Sequence, residues 1–232
     1  MLDTTNVLWY SSLAVQLLFC MYLVWIRLAK NYPAFTACLG CSVLRALVAM
    51  YFMRGAVGAR LPLSYTYFWL WSEPFWLLIQ LAVALEVHAK MWKEYSSVLR
   101  QTRPLLLFAL LTALVAAGIP VKAELSRADA SRLIAVMHYE FLTTRYVSSV
   151  LAIFLILSAT LFLIVVHNGT KSSLFRHEGM LAAYFSVYAL AAFLIDMGWA
   201  RAIFVNGYLA SGLTLCFIAW FSVLRPQPLP TE

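Results

Sequence analysis

Seven apolar stretches, roughly 7–26, 34–53, 65–87, 104–120, 145–167, 179–198 and 204–224, dominate the chain and decide what it can fold into. A membrane-crossing helix needs about 20 mostly apolar residues. Each stretch is long enough to cross, the fourth being the shortest. With 63% hydrophobic and 12% charged residues, against about 45–50% and about 25% in soluble domains, the chain has too much apolar surface for a water-soluble fold. The expected fold is therefore all-α: one polytopic transmembrane bundle over 1–232, with seven crossings. Little chain is left over for a separate soluble catalytic or DNA-binding domain.

The segments between the stretches carry the orientation signal. With the N-terminus outside, the inner segments hold Arg27, Lys30, Lys90, Lys93, Arg100, Arg103, Lys171, Arg176 and Arg225. The outer ones hold Arg54, Arg60, Lys122, Arg127, Arg132 and Arg201. Nine against six predicts N-out and C-in, because Lys and Arg are retained on the cytoplasmic side. The formal net charge of +7 then reflects anionic lipid at the cytoplasmic face rather than nucleic acid. The N-terminus has no basic lead and no small-residue cleavage site, so the first stretch reads as a retained crossing. Asn168-Gly169-Thr170 forms a glycosylation sequon that this topology puts on the cytoplasmic side.

The four cysteines, Cys20, Cys38, Cys41 and Cys216, all lie in apolar runs, which excludes a secreted disulfide framework. Cys38 belongs to a row of small residues, Ala34, Cys38 and Ser42, that suits close helix packing, as do Gly207 and Ser211 in the last stretch. Ala128 to Tyr146 contains neither Pro nor Gly, so the fifth helix is expected to run from about 129 to 167, about 58 Å at 1.5 Å per residue.

Ionisable groups within a crossing cost about 2.5–3.5 kcal/mol on insertion scales and usually face the bundle interior. Arg45 and Glu73 lie in consecutive antiparallel stretches, each about eight residues from the outer end. An Arg45–Glu73 ion pair is expected in the outer half, either locking two helices or releasing one member to a ligand. Trp69, Glu73, Trp76 and Gln80 share a helical stripe, and Pro74 breaks a backbone hydrogen bond there. Carboxylate and ring faces together suit a small organic cation; an interfacial aromatic belt is the plainer reading. Arg145, with Glu140 or Asp196 as partner, would extend an outward-facing polar cavity. Glu86 and His88 read as a solvated helix end, and His167 and His177 as interfacial.

Several chemistries lack their residues. The last stretch has no Lys for a retinal Schiff base. No HExxH motif, no facing His pairs for haem and no Ser–His nucleophile appear, so no catalytic set, no metal ligands and no cofactor are expected. An enzyme is the least favoured class.

Tyr65-x-Tyr67…Trp71-x-Glu73, Glu86-Val87 and the closing Leu224-Arg225-Pro226 resemble small seven-helix integral membrane proteins of bacteria to which no activity is assigned. The resemblance implies a bacterial inner-membrane location and supplies no catalytic residues. Three function classes follow. The first is a protein that senses or binds a small ligand, cation or proton, with Arg45, Trp69, Glu73, Trp76, Gln80, Arg145 and Asp196 as ligand-binding candidates. The second is a small transporter with three helices, a bland fourth and three more, although the two triples share no clear motif. The third is a non-catalytic accessory subunit that packs against membrane-protein partners or copies of itself.

Overall fold

The computed structural model describes residues 4–26, 28–53, 63–125, 132–166, 173–196 and 202–223. They form α1 (Thr4–Trp25), α2 (Pro33–Met53), α3 (Leu63–Met91), α4 (Ser96–Leu125), α5 (Arg132–Val165), α6 (Ser173–Asp196) and α7 (Ala202–Val223), with one 3-10 turn at Leu28–Lys30. Each apolar stretch centres on its own helix, and the described fold is all-helical. Five helices are long and apolar enough to cross a membrane: α2, α3, α4, α5 and α6. In α1 and α7 the described apolar stretches are Tyr10–Trp25 and Leu209–Val223.

The distribution of side chains is that of a membrane-embedded protein. Leu18, Leu44, Phe75, Leu111 and Ile164 are exposed, whereas Glu73, Gln80, His88, His177 and Glu178 are buried. Lipid is as apolar as Leu, so the polar groups withdraw to the interior, where they can find partners.

α3 packs on α2, α5 and α6, and α5 and α6 pack most extensively on each other. α7 closes the bundle against α1 and α6, while α4 packs chiefly on α5. α2 and α3 run antiparallel. The rings of Phe52 and Phe68 meet 5.6 Å apart near one end, and Glu86 reaches the start of α2 at the other. There Pro33 occupies the first helical turn, where its missing N–H costs nothing. The exposed donor of Phe35 is taken by Glu86 Oε2 at 3.0 Å, so α3 caps the N-terminus of α2. α6 and α7 approach closely at Gly212, where a Cβ would sit 2.9 Å from Val187 Cγ1. Gly212 is thus a point where the lack of a side chain lets α6 and α7 come together. Gly207's side-chain position lies outside the described residues.

The segment 88–103, expected as a basic connection, is mostly helical. α3 continues to Met91 and α4 starts at Ser96, leaving only Trp92–Tyr95 as the turn. Pro74, Pro104 and Pro120 all lie inside helices. Neighbouring helices and hydroxyl side chains can satisfy the carbonyl that a proline frees, so helices in lipid run through it. α5 is a single helix of 34 residues, about 51 Å long, close to its expected extent.

Candidate functional site

Two polar layers and a small cavity lie along the buried side of α3. The first layer joins α2, α3 and α5. Arg45 on α2 pairs with Glu73 Oε2, and Thr144 on α5 donates to Glu73 Oε1 at 2.9 Å. Glu73 is 4% exposed. The guanidinium carbon of Arg45 sits 4.1 Å from the Trp69 ring centre and 5.6 Å from that of Trp76. The Trp faces therefore hold the protein's own cation in the place the sequence reading gave to a ligand. Glu140 on α5 lies within electrostatic reach of both Glu73 and Arg45, and its Oε2 is buried without a hydrogen bond. A second carboxyl group thus stands near the Arg45–Glu73 pair. Tyr188 of α6 also lies within reach of Arg45 and Glu73. Beside this layer, an open groove of about 460 Å³ is lined by Phe52, Tyr67, Phe68, Trp71 and Ser72.

One layer deeper, Gln80 is 1% exposed, and its amide lies beside the Tyr184 phenol without a close hydrogen bond. It lines a cavity of about 10 Å³ together with Ser42, Trp76, Tyr184 and Trp220. That volume is of the order of one water molecule. Ser42 donates to Gln16 Oε1 on α1 at 2.7 Å.

The second layer joins α3, α4, α5 and α6. His88 contacts Ser158 Oγ through Nδ1 at 2.8 Å and Thr102 Oγ1 through Nε2 at 2.9 Å. Trp92 Nε1 donates to the same Ser158 oxygen at 2.9 Å. Glu178 Oε1 lies 3.8 Å from His88 Nδ1. On the neighbouring face of α6, Trp220 donates to His177 Nδ1 at 2.9 Å, and the His177 ring lies edge-on to Tyr32 and Phe35. Lys90 sits 4.0 Å above the Tyr32 ring and 3.6 Å from Glu86 Oε1. Burial, and then the Glu86 carboxylate, raise the Tyr32 phenol above its ordinary value. Tyr32 therefore stays neutral and presents its ring to the ammonium.

The structure brings together four of the sequence candidates, Arg45, Trp69, Glu73 and Trp76, and sets Gln80 one layer below. The guanidinium carbon of Arg145 lies 5.0 Å from the Phe193 ring centre and 5.5 Å from that of Tyr146. The side chain of Asp196, the whole of His167 and the sequon lie outside the described residues. Three expectations are overturned. Glu86 caps α2 instead of ending in solvent, and His88 and His177 are fully buried. The early turns of α4 and α6 cover His88, Trp220 with Tyr32 and Phe35 covers His177, and the start of α2 takes up Glu86. The sequence reading missed Thr144, Tyr188, Ser158 and Glu178. A hydroxyl one turn from Glu140 marked Thr144; nothing comparable marked Glu178, which sits among the polar residues of a connecting segment.

No protein family, curated protein or solved structure matches the chain.

Proposed function

We propose that the protein is a seven-crossing integral membrane protein of a bacterial inner membrane, N-terminus outside, which binds a proton or a small cation at Glu73. The observation that carries this reading is the placement of Arg45 on Glu73, with a second carboxyl group nearby. A single guanidinium, held between two Trp faces, serves the buried carboxylate of Glu73 with Glu140 beside it. A charge in a low-dielectric layer must be paired or neutralised, so a proton or external cation that takes over Glu73 frees Arg45 to turn to Glu140. Arg45 is then a tethered competitor for the ligand, and the two occupancies favour different positions of α2 against α3 and α5.

The test is thermal unfolding of the purified full-length protein across pH, and with tetramethylammonium or sodium at constant ionic strength. The wild type should show a shift that Glu73→Gln abolishes while remaining folded. An identical shift in the variant rejects the reading.

A second reading, a small transporter of three-plus-one-plus-three type, is favoured by the helix contacts. α1 touches α2 and α2 touches α3; α5 touches α6 and α6 touches α7; α4 stands aside on α5. Exchanging α1 with α5, α2 with α6 and α3 with α7 carries the α1–α7 contact onto the α5–α3 contact. Parallel repeats related in this way underlie several transporter folds. Solute counterflow in proteoliposomes that is lost in Glu73→Gln would support it.

A further inference from the structure

The reading above leaves the layer around His88 and Glu178 without a role, and this is the most deeply buried titratable pair in the described structure. The two residues are 1% and 0% exposed, and Glu178 lies beside His88 and Ser158 without a hydrogen bond of normal length. Most hydrogens in the layer can be placed by elimination. Trp92 Nε1 can only donate, so Ser158 Oγ accepts from it. Thr102 gives its hydroxyl hydrogen to Val98 O at 2.9 Å, so its oxygen accepts from His88 and Nε2 carries a hydrogen. That leaves Nδ1 facing Ser158 Oγ, with Glu178 beside both.

Charge decides the rest. A neutral imidazole beside an ionised carboxylate would leave an isolated buried anion, and an imidazolium beside a carboxylic acid an isolated buried cation. Both are strongly disfavoured without water. Two electroneutral states remain: neutral His88 with protonated Glu178, or His88 imidazolium with ionised Glu178. They contain the same number of protons. The charged neighbours do not disturb this balance. On α3, Glu86 and Lys90 face each other. On α6, His177 is turned to Trp220 and Arg176 is exposed; Lys93 and Glu94 in the turn and Arg100 and Arg103 on α4 are exposed too. α5 contributes the hydroxyl of Ser158 and the Phe154 ring, 4.7 Å from that of His88.

We propose that His88 and Glu178, together with the neighbouring Ser158, form a buried proton-binding site that holds one proton between them across the junction of α3, α5 and α6. Transfer is a relay that begins when the Glu178 side chain closes to hydrogen-bond distance of Ser158. The Glu178 O–H bond breaks, its electron pair staying on the carboxylate, and the proton forms a bond to Ser158 Oγ. The original Ser158 O–H bond breaks as an N–H bond forms at His88 Nδ1. No charge enters or leaves the layer, and Trp92 and Thr102 keep their hydrogen bonds throughout. The site does not depend on ligand binding at Glu73.

Two spectra on the full-length protein in lipid nanodiscs test this. Infrared reads the Glu178 carboxyl, assigned by its loss in Glu178→Gln. Nitrogen resonances of 15N-labelled histidine read the His88 ring, assigned by loss in His88→Gln. From about pH 6 to about pH 8, across the range where a free histidine titrates, the pair should hold one proton. The expected result is either a carboxylic acid with a neutral ring or a carboxylate with an imidazolium, both moving together in Ser158→Ala. A neutral ring with an ionised carboxylate, or protonation of both groups, overturns the proposal. So does a rise in the thermal midpoint on replacing choline with sodium that disappears in Glu178→Gln, since the occupant would then be a metal cation. If the glutamine variants do not fold, the wild-type spectra with Ser158→Ala still decide the outcome.

Discussion

The two polar layers solve the same problem, buried titratable groups in a lipid-embedded bundle, in opposite ways. Around Glu73 the solution is a formal ion pair: Arg45 and Glu73 meet directly, with one hydroxyl and two indole faces in support. Around His88 it is a hydrogen-bond network. Two hydroxyls and an indole N–H surround the imidazole, and the carboxylate stands 3.8 Å away. The first layer stores separated charge. The second spreads its polarity over neutral groups from four segments. The ion pair should therefore be strong but intolerant of losing one partner, and the network tolerant but cooperative.

The sharpest way to break the contrast is Arg45→Met. Removing one member of a buried pair should cost about 3–5 kcal/mol, read as a large drop in the unfolding midpoint. The double variant Arg45→Met/Glu73→Met should recover most of it. If the single variant is as stable as the wild type, Glu73 is not buried as a charge. Next in size is His88→Leu, which leaves Ser158 and Thr102 without their shared partner. Each orphaned buried group costs about 1–3 kcal/mol, and adding Thr102→Val, whose hydroxyl otherwise bonds only its own backbone, should restore part of the loss, as a network requires. Gly212→Ala lies outside both layers and calibrates packing: its Cβ meets Val187, so about 1–3 kcal/mol is expected, relieved by Val187→Ala. The smallest effect should come from Thr144→Val, which deletes one supporting hydrogen bond to Glu73, about 1 kcal/mol. A loss as large as that of Arg45→Met would show that Thr144, and not the cation, holds the carboxylate.

How much of this could be read from the chain follows from where each residue lies. Arg45 and Glu73 are isolated charges deep within apolar runs, and counting from the ends of antiparallel crossings set them at one level. The single long α5 was legible because Ala128 to Tyr146 has no helix breaker. The second layer was not, because its members stand at the edges of apolar runs, where polarity is usually explained by solvent. His88 and Glu178 look like ends of crossings until α4 is seen to begin at Ser96 and α6 at Ser173. Helix length at these edges is set by tertiary cover, and hydropathy alone does not report it. Thr102 and Ser158 were invisible for another reason: a lone hydroxyl in a helix normally bonds its own backbone, as Thr102 also does here.

The reach of α5 sets a limit on how the protein sits in its bilayer. Even at a steep inclination of about 40°, a rod of about 51 Å spans about 39 Å along the membrane normal, against a hydrocarbon thickness of about 30 Å. At least two turns of α5 must therefore stand among headgroups or in water at one boundary or be divided between both. This helix works as a post taller than the floor it passes through.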